Sequence, residues 1–110
     1  KNEQELQKAI ENYKKAVEIN PENAVAYNGL GAAYKQAGDM DKAIKAWEQS
    51  LFIDPEYGLP LYNLGYSHMN RGENKKALQY FSKYLDLYQN RIPAERRNKI
   101  EQWIKQLEEK

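Results

Sequence analysis

The chain has no cysteine and a single histidine in 110 residues. Disulfides and thiolate metal sites are therefore excluded, and one histidine without cysteine cannot form a zinc site of the usual kind. No stretch approaches the ~18 apolar residues of a membrane-spanning helix. An excess of charge of one sign is also lacking: 17 Lys and Arg stand against 16 Asp and Glu, for a net charge of +1. Residues 1–57 carry seven basic and ten acidic side chains, and residues 58–110 carry ten and six. That mild asymmetry is far from the basic stripe that tracks a phosphate backbone, so nucleic acid is not an expected partner. Nothing in these absences names a compartment.

Catalytic machinery is not evident either. Ser50, Ser67 and Ser82 form no recognisable arrangement with His68 and an orienting acid. Gly29-x-Gly31 resembles part of a dinucleotide loop, but it falls inside a helical pattern rather than after a strand. Most acidic residues sit three or four positions from Lys or Arg, the spacing of solvated helix faces. The expectation is a protein that is not an enzyme, with no metal and no cofactor.

What the chain does contain is a pattern repeated at a 34-residue period. Tyr27-x-x-Leu30-Gly31-x-x-Tyr34, Ala43-x-x-x-Trp47 and Asp54-Pro55 form one copy; Leu61-x-x-Leu64-Gly65-x-x-His68 and Ala77-x-x-x-Phe81 form the next. A partial copy precedes both, with Ala9-x-x-x-Tyr13 and Asn20-Pro21. Fixed self-similarity at this length indicates stacked supersecondary units, which work through extended surfaces. Helical periodicity runs throughout. Helices are expected at about 3–19, 24–37, 40–53, 58–71 and 74–89, with a sixth opening at Pro93. Asn23 and Asp39 are expected N-caps, and Gly38 and Gly72 the residues that end helices. Gly31 and Gly65 each cost about 1 kcal/mol relative to alanine inside a helix, a cost that makes sense if a neighbouring helix comes close there. Tyr13, Trp47 and Phe81 are the expected wedges between helices.

These residues and spacings resemble the tetratricopeptide repeat (TPR). The copy at 24–57 matches almost fully, with Tyr27 at the usual Trp place and Trp47 at the Phe place. The copy at 58–91 has Leu61 for Trp, His68 for Tyr and Gln89 where proline is expected, so the fifth helix should run on by about a turn and the sixth dock differently. Residues 1–23 match only the second half of a repeat, and 92–110 suit a terminal cap. The resemblance implies one all-α domain, a right-handed superhelical solenoid of antiparallel hairpins with about six helices. It also implies a packing role for His68.

A TPR array implies a scaffold that binds a peptide or protein segment in its concave groove. The groove positions implied here are Asn28, Lys35, Tyr62, Asn63, Tyr66 and Arg97: aromatic faces for apolar side chains, and amides for a peptide backbone. The plain alternative is that these are ordinary, partly exposed residues. The family's clamp for a C-terminal carboxylate maps onto Asn28, Ala32, Asn63, Pro93 and Arg97. Only Asn63 and Arg97 agree, and both lysines are missing, so a receptor of that type is not expected. Arg96, Arg97 and Lys99 leave a basic mouth. The second expectation is self-association into a homo-oligomer. The half repeat should leave Leu6, Ile10 and Val17 partly uncovered, for want of an upstream helix or a partner that replaces it. A third is an accessory module of a larger protein.

Overall fold

Short polar turns divide the chain into helices, and they recur bond for bond. The computed structural model describes residues 2–109. It contains α1 (Asn2–Ile19), α2 (Ala24–Gln36), α3 (Met40–Ile53), α4 (Gly58–Asn70), α5 (Asn74–Tyr88) and α6 (Ala94–Glu108), with no strand among the described residues. Ahead of α2, Asn20 Oδ1 accepts the Glu22 N–H at 3.1 Å; ahead of α4, Asp54 Oδ1 accepts the Glu56 N–H at 3.3 Å. Such side-chain turns halt a helix just where proline also forbids it. After α2 and α4 the backbone turns left-handed at Gly38 (φ 85°) and Gly72 (φ 76°), where a Cβ would be strained. The N–H groups of Asp39 and Glu73 then return to the carbonyls of Tyr34 and His68, each at 2.9 Å.

The helices fall into two units that divide between Pro60 and Leu61. In the first, α2 packs against α1 and α3. Asn23 and Asp39 cap α2 and α3 by accepting the N–H groups of Ala26 and Lys42, at 3.0 and 3.2 Å. Ile10, Leu30, Ala33 and Ala46 form the core, with Leu6, Tyr27 and Tyr34 packed on it. Trp47 is 1% exposed, and its indole lies so close to Gly31 that any Cβ there would collide with it. In the second unit Phe81 is fully buried, and a Cβ on Gly65 would lie 2.6 Å from its ring. α5 packs on α6, whose Ile100 and Leu107 are buried.

The third copy is out of step with the first two. From Ala24 to Gly58, the starts of α2 and α4, is 34 residues; from Gly58 to Ala94, the start of α6, is 36. The buried residues Leu30, Leu64 and Ile100 follow the same spacing. The two extra residues lie in α5, which has 15 residues to the 14 of α3, and in the turn after it. The expected extension of α5 by about a turn is corrected to a single residue, and the helix ends at Tyr88. In this register Arg97 corresponds to Leu61 rather than to Asn63, and it is half-buried. Glu101 corresponds to Gly65 and is exposed.

His68 is buried at 3% exposure, as a packing residue should be, and it stacks on Tyr80 with ring centroids 5.7 Å apart. Its Nδ1–H donates to Glu73 Oε1 at 2.8 Å. Glu73 stands at the N-cap of α5 but makes no side-chain cap bond, unlike Asp39 at the matching place. Its carboxylate is turned back to tie α4 to α5.

Two predictions follow from this packing. Gly31→Ala and Gly65→Ala should each destabilise the protein by about 1–3 kcal/mol through overpacking, despite better helix propensity. Gly29→Ala should be close to neutral, because the ring it would meet is the outer end of Tyr13, which has room to move. Thermal unfolding followed by circular dichroism ranks the three; equal effects would contradict the account. The hydrogen bond from His68, with the charges of His68, Arg71 and Lys76, holds the Glu73 carboxyl below its ordinary value of 4.5. A lowered carboxyl pKa contributes stability that is complete above the ordinary value and is lost as pH falls through the lowered one. The stability difference between the native chain and Glu73→Gln should therefore shrink as pH falls below about 4.5. Urea unfolding at a series of pH values measures that difference.

Candidate protein-interaction surface

The second unit carries a face of packed aromatic rings. Helical spacing places Tyr62 and Tyr66 one turn apart on α4, and their rings stack in parallel with centroids 6.4 Å apart. Trp103, on α6, lies against both, 6.3 Å from Tyr62 and 5.5 Å from Tyr66. Phe81 and Tyr84 of α5 support the cluster from below, 6.2 and 5.7 Å from the Tyr62 ring. Phe81 and Tyr84 are buried, whereas Tyr62, Tyr66 and Trp103 are only half-buried. The result is a rigid apolar platform with ring area open to solvent. Burial pushes the Tyr62 phenol above its ordinary value, the Arg96 guanidinium pulling the other way. A cleft of about 350 Å³ opens beside Tyr62, lined also by Pro93, Glu95, Arg96 and Lys99.

The structure distributes the expected groove residues unevenly. Tyr62 and Tyr66 join in the platform. Asn63, the next residue on α4, is half-buried. Arg97 is held elsewhere: its guanidinium donates to the Gln89 carbonyl at 3.3 Å and braces the turn into α6. In the first unit, Asn28 uses its side-chain amide to donate to the Tyr57 hydroxyl, and its Oδ1 is buried without a partner. Burial, and secondarily Asp54, raise the Tyr57 phenol above its ordinary value. Lys35 is exposed in the last turn of α2. Trp103 was not among the expected groove residues, because its spacing with Ile100 and Ile104 suggests a core edge; the structure leaves it half-buried against Tyr62 and Tyr66.

The expected self-association residues also divide. Ile10 is buried in the core, so it offers no uncovered surface; the reason is that α2 closes over it. Leu6 and Val17 are half-buried. Ile19, at the end of α1, is 85% exposed, and Tyr13 on the same helix is 36% exposed, where its counterparts Trp47 and Phe81 are 1% and 0%. Beside it, Asn2, Glu5, Leu6, Ala9 and Gln36 line a hollow of about 470 Å³. No group of three or more His, Asp or Glu residues converges as a metal site among the described residues, and no helix is long and apolar enough to cross a membrane.

Family models agree with the repeats. A TPR repeat model matches residues 2–38, and two tetratricopeptide repeat models match 24–57 and 61–90. No curated protein matches the chain. Among solved structures, MamA is similar at 32% identity and a TM-score of 0.74, over 78% of this chain and 50% of that one. The Sgt2 TPR domain from Aspergillus fumigatus has a TM-score of 0.76 at 23% identity, over 98% of this chain and 69% of that one. The Yersinia enterocolitica type III secretion chaperone SycD, solved with a peptide of the translocator YopD, has a TM-score of 0.84 at 16% identity, over 97% and 82%. The fold is thus the all-α helical repeat of the solenoid class, and the chain spans half the length of the MamA chain it matches.

Proposed function

The chain belongs to the tetratricopeptide repeat family, and on that premise we propose that it is a non-catalytic scaffold that binds a peptide segment of another protein on the α4–α6 aromatic face. The observation that carries the proposal is the trio of half-buried rings, Tyr62, Tyr66 and Trp103, fixed in place by Phe81 and Tyr84. Rings held by their neighbours lose little freedom on binding, so the apolar area they cover converts efficiently into affinity. Asn63 supplies an amide that can both donate to and accept from a peptide backbone. A related fold in SycD holds a peptide, which supports the general mode and says nothing of the ligand here. On a peptide array, Tyr62→Ala and Asn63→Ala should each lower binding about tenfold, an ordinary hot-spot effect, with unchanged far-ultraviolet circular dichroism. Unchanged binding, or loss of helicity, would remove the assignment.

A second reading is self-association through the open flank of α1, favoured by the exposure of Tyr13. In this reading the contact rests on Leu6, Ala9 and Tyr13 rather than on Ile10. Light scattering coupled to size exclusion over a hundredfold concentration range should show a rising mass that Tyr13→Glu abolishes. A constant monomer mass would rule this reading out.

A further inference from the structure

The cleft beside Tyr62 has a charge arrangement that the aromatic face alone does not explain. Its lining contains two cations, Arg96 and Lys99, and one carboxylate, Glu95. None of the three makes an ion pair among the described residues. Arg96 reaches the Tyr84 hydroxyl at 3.5 Å, the outer limit of a hydrogen bond. All three side chains are exposed, so an anion here meets a guanidinium and an ammonium that no carboxylate already occupies, beside ring surface that can cover its apolar neighbours. Arg97 takes no part, since the Gln89 carbonyl holds it.

Spacing sets the form of the ligand. In an extended peptide, side chains on one side recur every second residue, about 6.6–6.8 Å apart. The Tyr62 ring centroid lies 6.4 Å from that of Tyr66 and 6.3 Å from that of Trp103, so the platform matches that step. We infer that the cleft and platform together take an extended acidic peptide, with an internal Asp or Glu side chain on Arg96 and Lys99 and apolar side chains at alternate positions on the rings. The inference rests on the peptide-binding reading above and adds the ligand's chemistry to it. Charge complementarity favours an acidic segment. Glu95 at the mouth opposes any carboxylate, internal or terminal, and the test separates the two.

The test uses the full chain and a labelled, C-terminally amidated probe of sequence GDSFSFG, read by fluorescence anisotropy. The Asp probe should bind about tenfold tighter than its Asn version, as a charge-assisted hydrogen bond predicts, and added salt should shrink that ratio. The double variant R96Q/K99Q should abolish the ratio, while E95Q should tighten the Asp probe by a few fold. Equal binding of the Asp and Asn probes overturns the inference, and so does a ratio that survives R96Q/K99Q. Equal gain from an Asn probe with a free C-terminal carboxylate overturns the assignment to an internal acid. If the Asn probe binds and Tyr62→Ala removes it, the peptide-binding reading stands even where the acidic preference fails. If neither probe binds, both fall.

Discussion

Everything in this chain depends on how closely an aromatic ring can approach a helix backbone. At Gly31 and Gly65 the missing Cβ lets Trp47 and Phe81 lie directly on the helix they face. Dispersion gains come from many short contacts, so a gap of under an ångström forfeits much of them. Each ring thereby fixes the distance and rotation of two helices at once. Small residues serve the same end on the opposite helices, where Ala43 and Ala77 are fully buried. A glycine that is poor for an isolated helix is thus favourable for the pair, and local propensity yields to packing.

That interlock also explains which parts of the molecule were legible in advance. The 34-residue period marks the glycines, alanines and wedges, and with them the helix order, the caps at Asn23 and Asp39 and the turns at Gly38 and Gly72. The substitution of Gln89 for proline marks the place where the spacing changes, but not the size of the change. A slip of two residues is invisible to a pattern that α6 does not carry. It takes Arg97 out of the register of Asn63, whereas the place of Trp103 on the platform comes from its ring contacts with Tyr62 and Tyr66. Ile10 illustrates a different limit: a stripe on a helix shows that a side is apolar, not whether the next helix covers it. The side-chain bond between Asn28 and Tyr57 joins residues 29 apart by number, and no local spacing encodes it.

Polar groups in the structure are arranged around the same packed core. His68 occupies a place where the preceding copy has the half-buried Tyr34; its Nε2 is buried without a partner, and burial leaves its Nδ1 in need of one. Glu73 provides it, and gives up the local cap that Asp39 makes one repeat earlier. A side chain that could have closed one helix end instead joins two helices. The aromatic platform gains from the same economy of position. Tyr84 closes the core on one side and meets Arg96 on the other, so core and cleft share a residue.

The exposed Glu101, standing in the register of Gly31 and Gly65, has a consequence for anyone who would lengthen the molecule. A wedge ring brought against α6 from a further hairpin would meet a charged side chain where its counterparts meet bare backbone. Grafting consensus repeats onto this end would therefore give a junction held apart by a side chain's width, wet rather than dry. The interlocking surface would first have to be rebuilt at that one position before the array could be extended as a single cooperative body.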